Sequence, residues 1–435
     1  MKTLRIFVLG SLLSAALLLQ ACGSSPSYQS SPWVFDKTPR PASEQPSDLS
    51  DLQATPLEDA PLEAEALPPA VAADLPPVKV GILLPLSGKN AQLGEAMLNA
   101  AQMAMFEIGH NSFELVPRDT KGTSSGGREA AQSAIQDGAQ LLLGPVFADA
   151  VRGAKNAARG QGVNIIAYST DWSLADNSTF IMGILPFDQV ERVIRYAANQ
   201  GYNNFGVFAP ANTYGTAVLN AYNELATSTG INTVNSERFS PNSSSLNTAM
   251  RKFARYDERR AQSAEGEDIL PPPYDALFMP VGGNEARTVA SFASQYGMRP
   301  EQVRRLGTGL MDDDSLAGEK ALDGAWFAAP SPRLRRDFER KYFSTYGVSP
   351  PRIATLAYDS TALAAVLART GLSQNGRPLF DSVSIQNPNG FSGVDGIFRF
   401  REGGLVDRGL AVLEFRRGQI SVVDPAPKTF QQRGF

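Results

Sequence analysis

Short apolar runs alternate with longer amphipathic stretches from Val78 onward, and the series passes through the chain twice. Val78 to Leu86 reads as a strand and Gln92 to Ile108 as a helix. Phe113 to Pro117, Gln140 to Val146 and Asn164 to Ser169 read as further strands, separated by helices at Gly127 to Asp137 and Ala148 to Arg159. Buried apolar strands joined by helices require a parallel sheet covered on both faces, because each crossover must return the chain to the same edge. Asp149 and Asp188 stand near helix first turns, and Gly138 and Gly160 stand where C-terminal caps belong. "GILPFD", residues 183 to 188, interrupts the series with a proline. The rhythm then resumes with Phe205 to Ala209, Tyr214 to Thr229, Leu246 to Arg260, Ala276 to Pro280, Glu285 to Tyr296 and Arg304 to Thr308. Two successive α/β units of similar content imply two lobes of one architecture.

The rest is less regular. "RRAQSAEGEDILPPPYD", residues 259 to 275, breaks the pattern with charge and three successive prolines and reads as an external insertion. Ile353 to Ala368 is expected to be a helix. Late strands follow around "GVDGIFRF", "GLAVLEF" and "QISVVDP", with Arg417-Gly418 as a hairpin turn, and these would complete the sheets of the two lobes.

The start of the chain indicates a compartment. Lys2 and Arg5 precede an apolar run from Ile6 to Leu19, too short to span a bilayer but suited to a secretory leader. Cys22, the single cysteine, follows Leu19-Gln20-Ala21, an arrangement resembling the lipobox of bacterial lipoproteins, in which the cysteine becomes the lipid-bearing N-terminus. Acyl chains there would hold the protein on a membrane. Gly23 in place of an inner-membrane retention aspartate favours the periplasmic side of the outer membrane over inner-membrane anchoring. Residues 23 to 78 hold 11 prolines and nine acidic residues against Lys37 and Arg40, which reads as a disordered acidic tether. Trp33-Val34-Phe35 within it reads equally as a small docking element or as an apolar run without a role. The net charge of the chain is −4, with +2 in the leader and −7 in the tether, so the folded part is near neutral and gives no reason to expect nucleic acid as a partner.

Several chemistries find no support. The first strand-to-helix turn, Gly88 to Gly94, lacks the close glycine pair of a dinucleotide loop, and Lys89 lacks both a phosphate cradle and an adjacent Ser or Thr. Asp119 is expected to be a loop cap or a lobe-surface carboxylate rather than a ribose ligand. His110 is the only histidine and stands beside no nucleophile motif, and "MDDD", residues 311 to 314, lacks the spacing of a calcium loop and reads as a solvated acidic turn. No catalytic residue, metal or cofactor is expected. A ligand cleft is expected instead, because in α/β sheets ligands collect beyond the carboxyl ends of the strands. The residues placed there are Ser87, Gly88, Phe147, Ser169, Thr170, Tyr214, Gly283 and Thr308.

These strand ends resemble the type I periplasmic binding-protein fold, in which two Rossmann-like lobes joined by three crossovers close on a ligand. Within that superfamily the chain resembles the lipoproteins called penicillin-binding protein activators, through "LLPLSG", "GPVFA", "YST", "MGILPFDQVERVIRYA", "YDALFMP", "GTG", "GAWFAAP", "LAYDS" and "GFSGVDGIFRFREGG". The resemblance implies a signal peptide at 1–21, a tether at 22–78, lobe 1 at 79–183 plus 323–400, lobe 2 at 184–322 plus 401–424, and a tail at 425–435. It also implies a non-enzymatic regulator that binds and activates a bifunctional penicillin-binding protein. That activity is carried over from a larger lipoprotein whose additional helical-repeat domain the residues before 79 leave no room for. The alternative is a solute-binding protein of an ABC transporter for amino acids, amides or small peptides. In amino acid receptors the loop matching Phe147-Ala148-Asp149 supplies a hydroxyl and amides for the ligand carboxylate. Here Phe147 and Ala148 provide no hydroxyl, and Asp149 would repel a carboxylate unless its charge were compensated. Ser169, Thr170 and Tyr214 retain their matches, which leaves room for a small amino-acid-like ligand, a muropeptide, or none.

Overall fold

A computed structural model describes residues 77–108, 112–240 and 243–430. The expected signal peptide, Cys22, nearly all of the tether, His110 and the last five residues of the tail lie outside them.

The first lobe is built on β1 (Val78–Leu84), β2 (Phe113–Asp119), β3 (Leu141–Leu143), β4 (Asn164–Ala167) and β5 (Thr179–Ile181). All pair in parallel, in the order β2-β1-β3-β4-β5. The central strands β3 and β4 are buried at every residue, as a parallel sheet covered on both faces requires. Helices α1 (Ala91–Ile108), α2 (Ser124–Gln136) and α3 (Ala148–Ala158) connect the first four strands. Thr123 caps α2 by accepting from the Gly126 amide. Helices α2 and α3 approach at backbone contact distance. A Cβ on Gly153 would stand 1.9 Å from the Ser124 carbonyl oxygen, and one on Gly127 would stand 2.2 Å from that of Ala150.

The second lobe repeats the plan. Helix α4 (Phe187–Asn199) leads into β6 (Asn204–Pro210), α5 (Thr213–Thr229), β7 (Asn232–Phe239), α6 (Ser243–Phe253), α7 (Tyr256–Gln262), β8 (Ala276–Phe278), α8 (Gly283–Gln295), β9 (Arg304–Gly307) and β10 (Trp326–Ala329). The parallel order β7-β6-β8-β9-β10 reproduces that of the first lobe strand for strand.

Helices α9 (Pro332–Tyr346), α10 (Ala354–Asn375) and α11 (Ser382–Ile385) return to the first lobe, where α9 packs Phe338 and Tyr342 with Ala100 and Met103 of α1. A three-stranded antiparallel sheet follows, formed by β11 (Phe391–Gly393), β12 (Gly396–Phe400) and β13 (Val406–Arg408). It is joined to β5 by the Ile181–Leu405 bridge. The last strands, β14 (Ala411–Arg416) and β15 (Gln419–Asp424), extend the second sheet antiparallel beyond β10. Arg417 and Gly418 both have positive φ, 52° and 77°, as the two-residue turn expected there demands.

The chain therefore crosses between the sheets three times, at Met182–Pro186, at Pro330–Ser331 and at Gly409–Leu410. Two lobe boundaries differ from the expected ones. Trp326–Ala329, expected with lobe 1, pairs with β9 and β14 in the second sheet, and Val406–Arg408, expected with lobe 2, pairs with β12 on the first-lobe side. The reason is that "GAWFAAP" completes a strand before the crossover proline, whereas its apolar composition alone does not say which sheet it joins.

Other differences are local. Strands β5 and β7 have too little apolar alternation to be read from sequence; β7 is an edge strand whose exposed positions are polar. The single helix expected at Leu246 to Arg260 is two, broken where Arg255 takes a left-handed conformation, φ 47°. The insertion consequently starts after Gln262. Arg259 is not on it: its buried guanidinium donates to the carbonyls of Leu270, Ala254, Tyr296 and Gly297.

Candidate functional site

In a sheet of order 2-1-3-4-5 the connections leave β1 and β3 in opposite directions, so a crevice opens between their carboxyl ends. In the first lobe the crevice is flanked by Ser87 and Gly88 after β1 and by Phe147 after β3. In the second lobe the equivalent strands are β6 and β8, and the equivalent residues are Tyr214 and Gly283. Ser169 and Thr170 follow β4, and Thr308 follows β9, one strand further on. The eight residues expected at a cleft thus fall at matching strand ends of two like sheets, five on one lobe and three on the other.

Their local roles differ. Asp119, at the end of β2, accepts from the Leu86 and Lys121 amides at 2.9 and 2.8 Å and caps this loop as expected. Partial burial pulls its pKa up, but hydrogen bonds from the Ser87 hydroxyl and the surrounding main chain outweigh that and hold the carboxyl below its ordinary range. Ser87 is therefore engaged within its own lobe. Gly88, with φ 73° and no neighbour near a built Cβ, keeps the rim open. Phe147 is the N-cap residue of α3 without a side-chain cap, and its ring lies against Gly122, 3.2 Å from where a Cβ would stand. Asp149, in the first turn of α3, is partly compensated: Arg152 bonds it at 2.8 Å but is shared with Asp171 at 2.6 Å. Ser169 is buried and its Oγ accepts from the Asp171 amide at 3.1 Å, while Thr170 is exposed.

On the second lobe the Tyr214 hydroxyl meets the Thr308 hydroxyl at 2.7 Å, and Thr308 is fully buried. Burial pushes the Tyr214 phenol up to about 12, so it stays protonated over the whole physiological range. The next amide, Gly309 N–H, donates to Gln189 Oε1 of α4 at 2.7 Å, and Gly282 passes so near Leu310 that a Cβ there would stand 2.2 Å from its carbonyl oxygen. Within each lobe the structure thus brings Ser87 onto Asp119 and Tyr214 onto Thr308. Gly283, φ 51°, starts α8, with open space where a Cβ would stand.

Sequence reasoning missed the polar and charged groups that organise these loops: Arg152, Gln189 and Arg335. Arg335, on α9, forms an ion pair with Asp312 just beyond Thr308–Gly309, and both side chains are largely buried, 13% and 4% exposed. Asp312 is therefore not part of a solvated acidic turn. The signal for a pair is present in "MDDD" and "RLRR", but nothing in the sequence matches one aspartate to one arginine.

Three further concavities, of about 630, 560 and 660 Å³, are lined by α1/α9/α10, by the amino-end side of β4 and by α9 with the β14–β15 turn, away from the strand-end residues. Among the described residues no cluster of three His, Cys, Asp or Glu side chains is placed to hold a metal, and no helix is long and apolar enough to cross a membrane.

The sequence profile of the periplasmic binding proteins matches residues 77–419. No curated protein matches the chain. Among solved structures, a putative branched-chain amino acid ABC transporter protein from Rhodospirillum rubrum superposes with a TM-score of 0.67 at 16% identity, covering 80% of this chain and 100% of the other. A substrate-binding protein from Desulfitobacterium hafniense in complex with Leu gives 0.57 at 19% identity, with 80% and 99% covered. The C-domain of LpoA (YraM) from Haemophilus influenzae, a regulator of PBP1A, gives 0.59 at 18% identity, with 79% and 99% covered. At these identities the likeness is one of fold.

Proposed function

Because the chain belongs to the periplasmic binding-protein family, we propose that it is a non-catalytic periplasmic binding protein whose working step is closure of two lobes over a small amino-acid-, amide- or peptide-like solute. The observation that supports this reading is the repeated strand order, by which Ser87, Gly88 and Phe147 in one lobe and Tyr214 and Gly283 in the other follow equivalent strands. Arg152 offsets part of the Asp149 charge but is shared with Asp171, so an anionic group there would need a further cation or amides of its own. Tyr214 and Thr308 offer a preorganised hydroxyl pair, and Phe147 an apolar wall.

The second reading is regulation of a bifunctional penicillin-binding protein. It is favoured by the inward engagement of Ser87, Ser169 and Tyr214, which leaves Thr170 as the freest hydroxyl of the set, and by the resemblance of sequence runs such as "MGILPFDQVERVIRYA" to the activator lipoproteins. The fold likeness to the LpoA C-domain agrees with it. In that role preferential affinity for the active synthase conformation shifts its population, and no bond chemistry is needed. Cys22 would carry the lipid that anchors the protein on the periplasmic side of the outer membrane.

Calorimetric titration of chain refolded from denaturant, and so stripped of ligand, separates the two readings. Binding of a branched-chain amino acid, an amide or a short peptide, weakened by Tyr214→Phe, supports the first. Silence toward these, together with stimulated glycan synthesis when the protein is added to a purified penicillin-binding protein, sinks the first and supports the second.

A further inference from the structure

Two of the three crossovers are pinned by arginines, and one of the pins contains a half-buried carboxylate. Arg408, the last residue of β13, is only 7% exposed. Its Nη2 donates to the Met182 carbonyl at 2.7 Å, at the start of the first crossover, and its own amide donates to Asp188 Oδ2 at 2.8 Å. Asp188 belongs to the first turn of α4, whose Val190, Val193 and Ile194 pack in the second-lobe core. Arg192, one turn further along α4, donates to the Leu410 carbonyl at 2.8 Å in the third crossover and pairs with Asp424 at 2.7 Å. A second-lobe helix is thus clasped to the last first-lobe strand across two of the three connections. Any rotation of one lobe on the other must work through this point.

We propose that the clasp makes the angle between the lobes respond to mild acid: protonated Asp188 favours the arrangement described here, in which it is half-buried, and ionised Asp188 favours arrangements in which its carboxylate is more fully hydrated. This inference does not depend on what the cleft binds.

The surroundings of Asp188 define the response. Burial raises its pKa, the Arg408 amide lowers it, the Asp407 charge raises it, and the Arg401 and Arg408 charges lower it, leaving the carboxyl pushed up to about 6. Asp407 is itself held by Arg399 at 3.1 Å and Arg401 at 2.7 Å. The Arg408 guanidinium is shared among further groups. It faces the buried Asp395 and Asp359, with Arg352 occupied by Asp395 at 3.0 Å, and its Nε and Nη1 have no hydrogen-bond partner among the described residues. Among the described residues no cation is committed to Asp188 alone. A conformer that hydrates Asp188 returns it to the ordinary carboxylate value of about 4. The burying conformer takes up the proton at higher pH than the hydrated one, so by linkage acid favours the burying conformer. With these two values, the ratio of the conformers changes by about tenfold between pH 7.5 and pH 5.

The test is an interlobe distance distribution by pulsed electron spin resonance. The full chain carries C22S, with labels at K89C on the first lobe and T213C on the second. The expected result is a redistribution of about tenfold between the two pH values for the parent, and for Asp188→Asn a distribution at pH 7.5 that already matches the parent at pH 5 and does not change with pH. Asp407→Asn, which removes the neighbouring negative charge without touching the clasp, is expected to move the parental midpoint to lower pH, and it keeps the proposal testable if D188N folds poorly. A parental distribution that is the same at both pH values, or a pH response that persists unchanged in D188N and D407N, overturns the proposal.

Discussion

Replacing Gly153 with alanine tests whether the packing of α2 on α3 is as close as the structure gives it. The added Cβ would stand 1.9 Å from the Ser124 carbonyl oxygen and 2.9 Å from the Arg128 nitrogen. An ordinary carbon–oxygen contact is about 3.3 Å, so α3 must retreat by roughly 1.4 Å or tilt. The obstacle is main chain, with no rotamer to change, and the cost belongs at the upper end of the ~1–3 kcal/mol typical of overpacking. Alanine regains about 1 kcal/mol of helix propensity over glycine, which leaves a net loss of about 2 kcal/mol. With an unfolding entropy of about 2.1 cal/mol/K per residue over roughly 350 folded residues, the melting temperature should fall by about 3 °C. Gly318→Ala is the control, since nothing lies within 4 Å of its built Cβ and its φ is not in the left-handed range. Calorimetric melting of the two variants beside the parent decides the matter. If G153A melts with G318A, the close approach of the helices is wrong, and with it the placement of Phe147, which α3 carries at its first turn.

Arg335→Ala should destabilise by about 3–5 kcal/mol in denaturant unfolding, because it strands Asp312, 4% exposed, without its cation. Arg335→Ala with Asp312→Ala should recover a large part of that loss, and a double variant as unstable as the single would show that the cost lies in packing alone. Asp359 is buried beside Asp395, and desolvation and that charge together raise its pKa. A raised folded-state value contributes stability that is complete below the ordinary carboxylate range and is lost as pH rises toward neutrality. The parent should therefore lose melting temperature between pH 5 and pH 8 more steeply than Asp359→Asn, whose amide oxygen still accepts from the Val394 amide as the carboxylate does at 2.7 Å. Equal slopes would remove Asp359 from the account.

The amino-acid order determined a good deal here. The alternation of apolar and amphipathic runs dictated parallel α/β lobes because buried strands that must return to the same edge admit few other solutions. It also placed Ser87, Phe147, Tyr214 and Thr308 at carboxyl ends of strands, since strand direction follows from chain order once the connections are helices. Periodicity carried no information about partners. Trp326–Ala329 is equally apolar whichever sheet it joins, and its place was decided by pairing with Leu306 and Leu413, 20 and more residues away. Strand β7 escaped notice because an edge strand need bury only one side. The charge matches were likewise tertiary: Arg335 with Asp312, Arg408 with Asp188 and Met182, and Arg152 with Asp149 and Asp171. An arginine in sequence is merely soluble. Which carboxylate it meets, and whether that pair is dry enough to matter, depends on where the three crossovers set one lobe against the other.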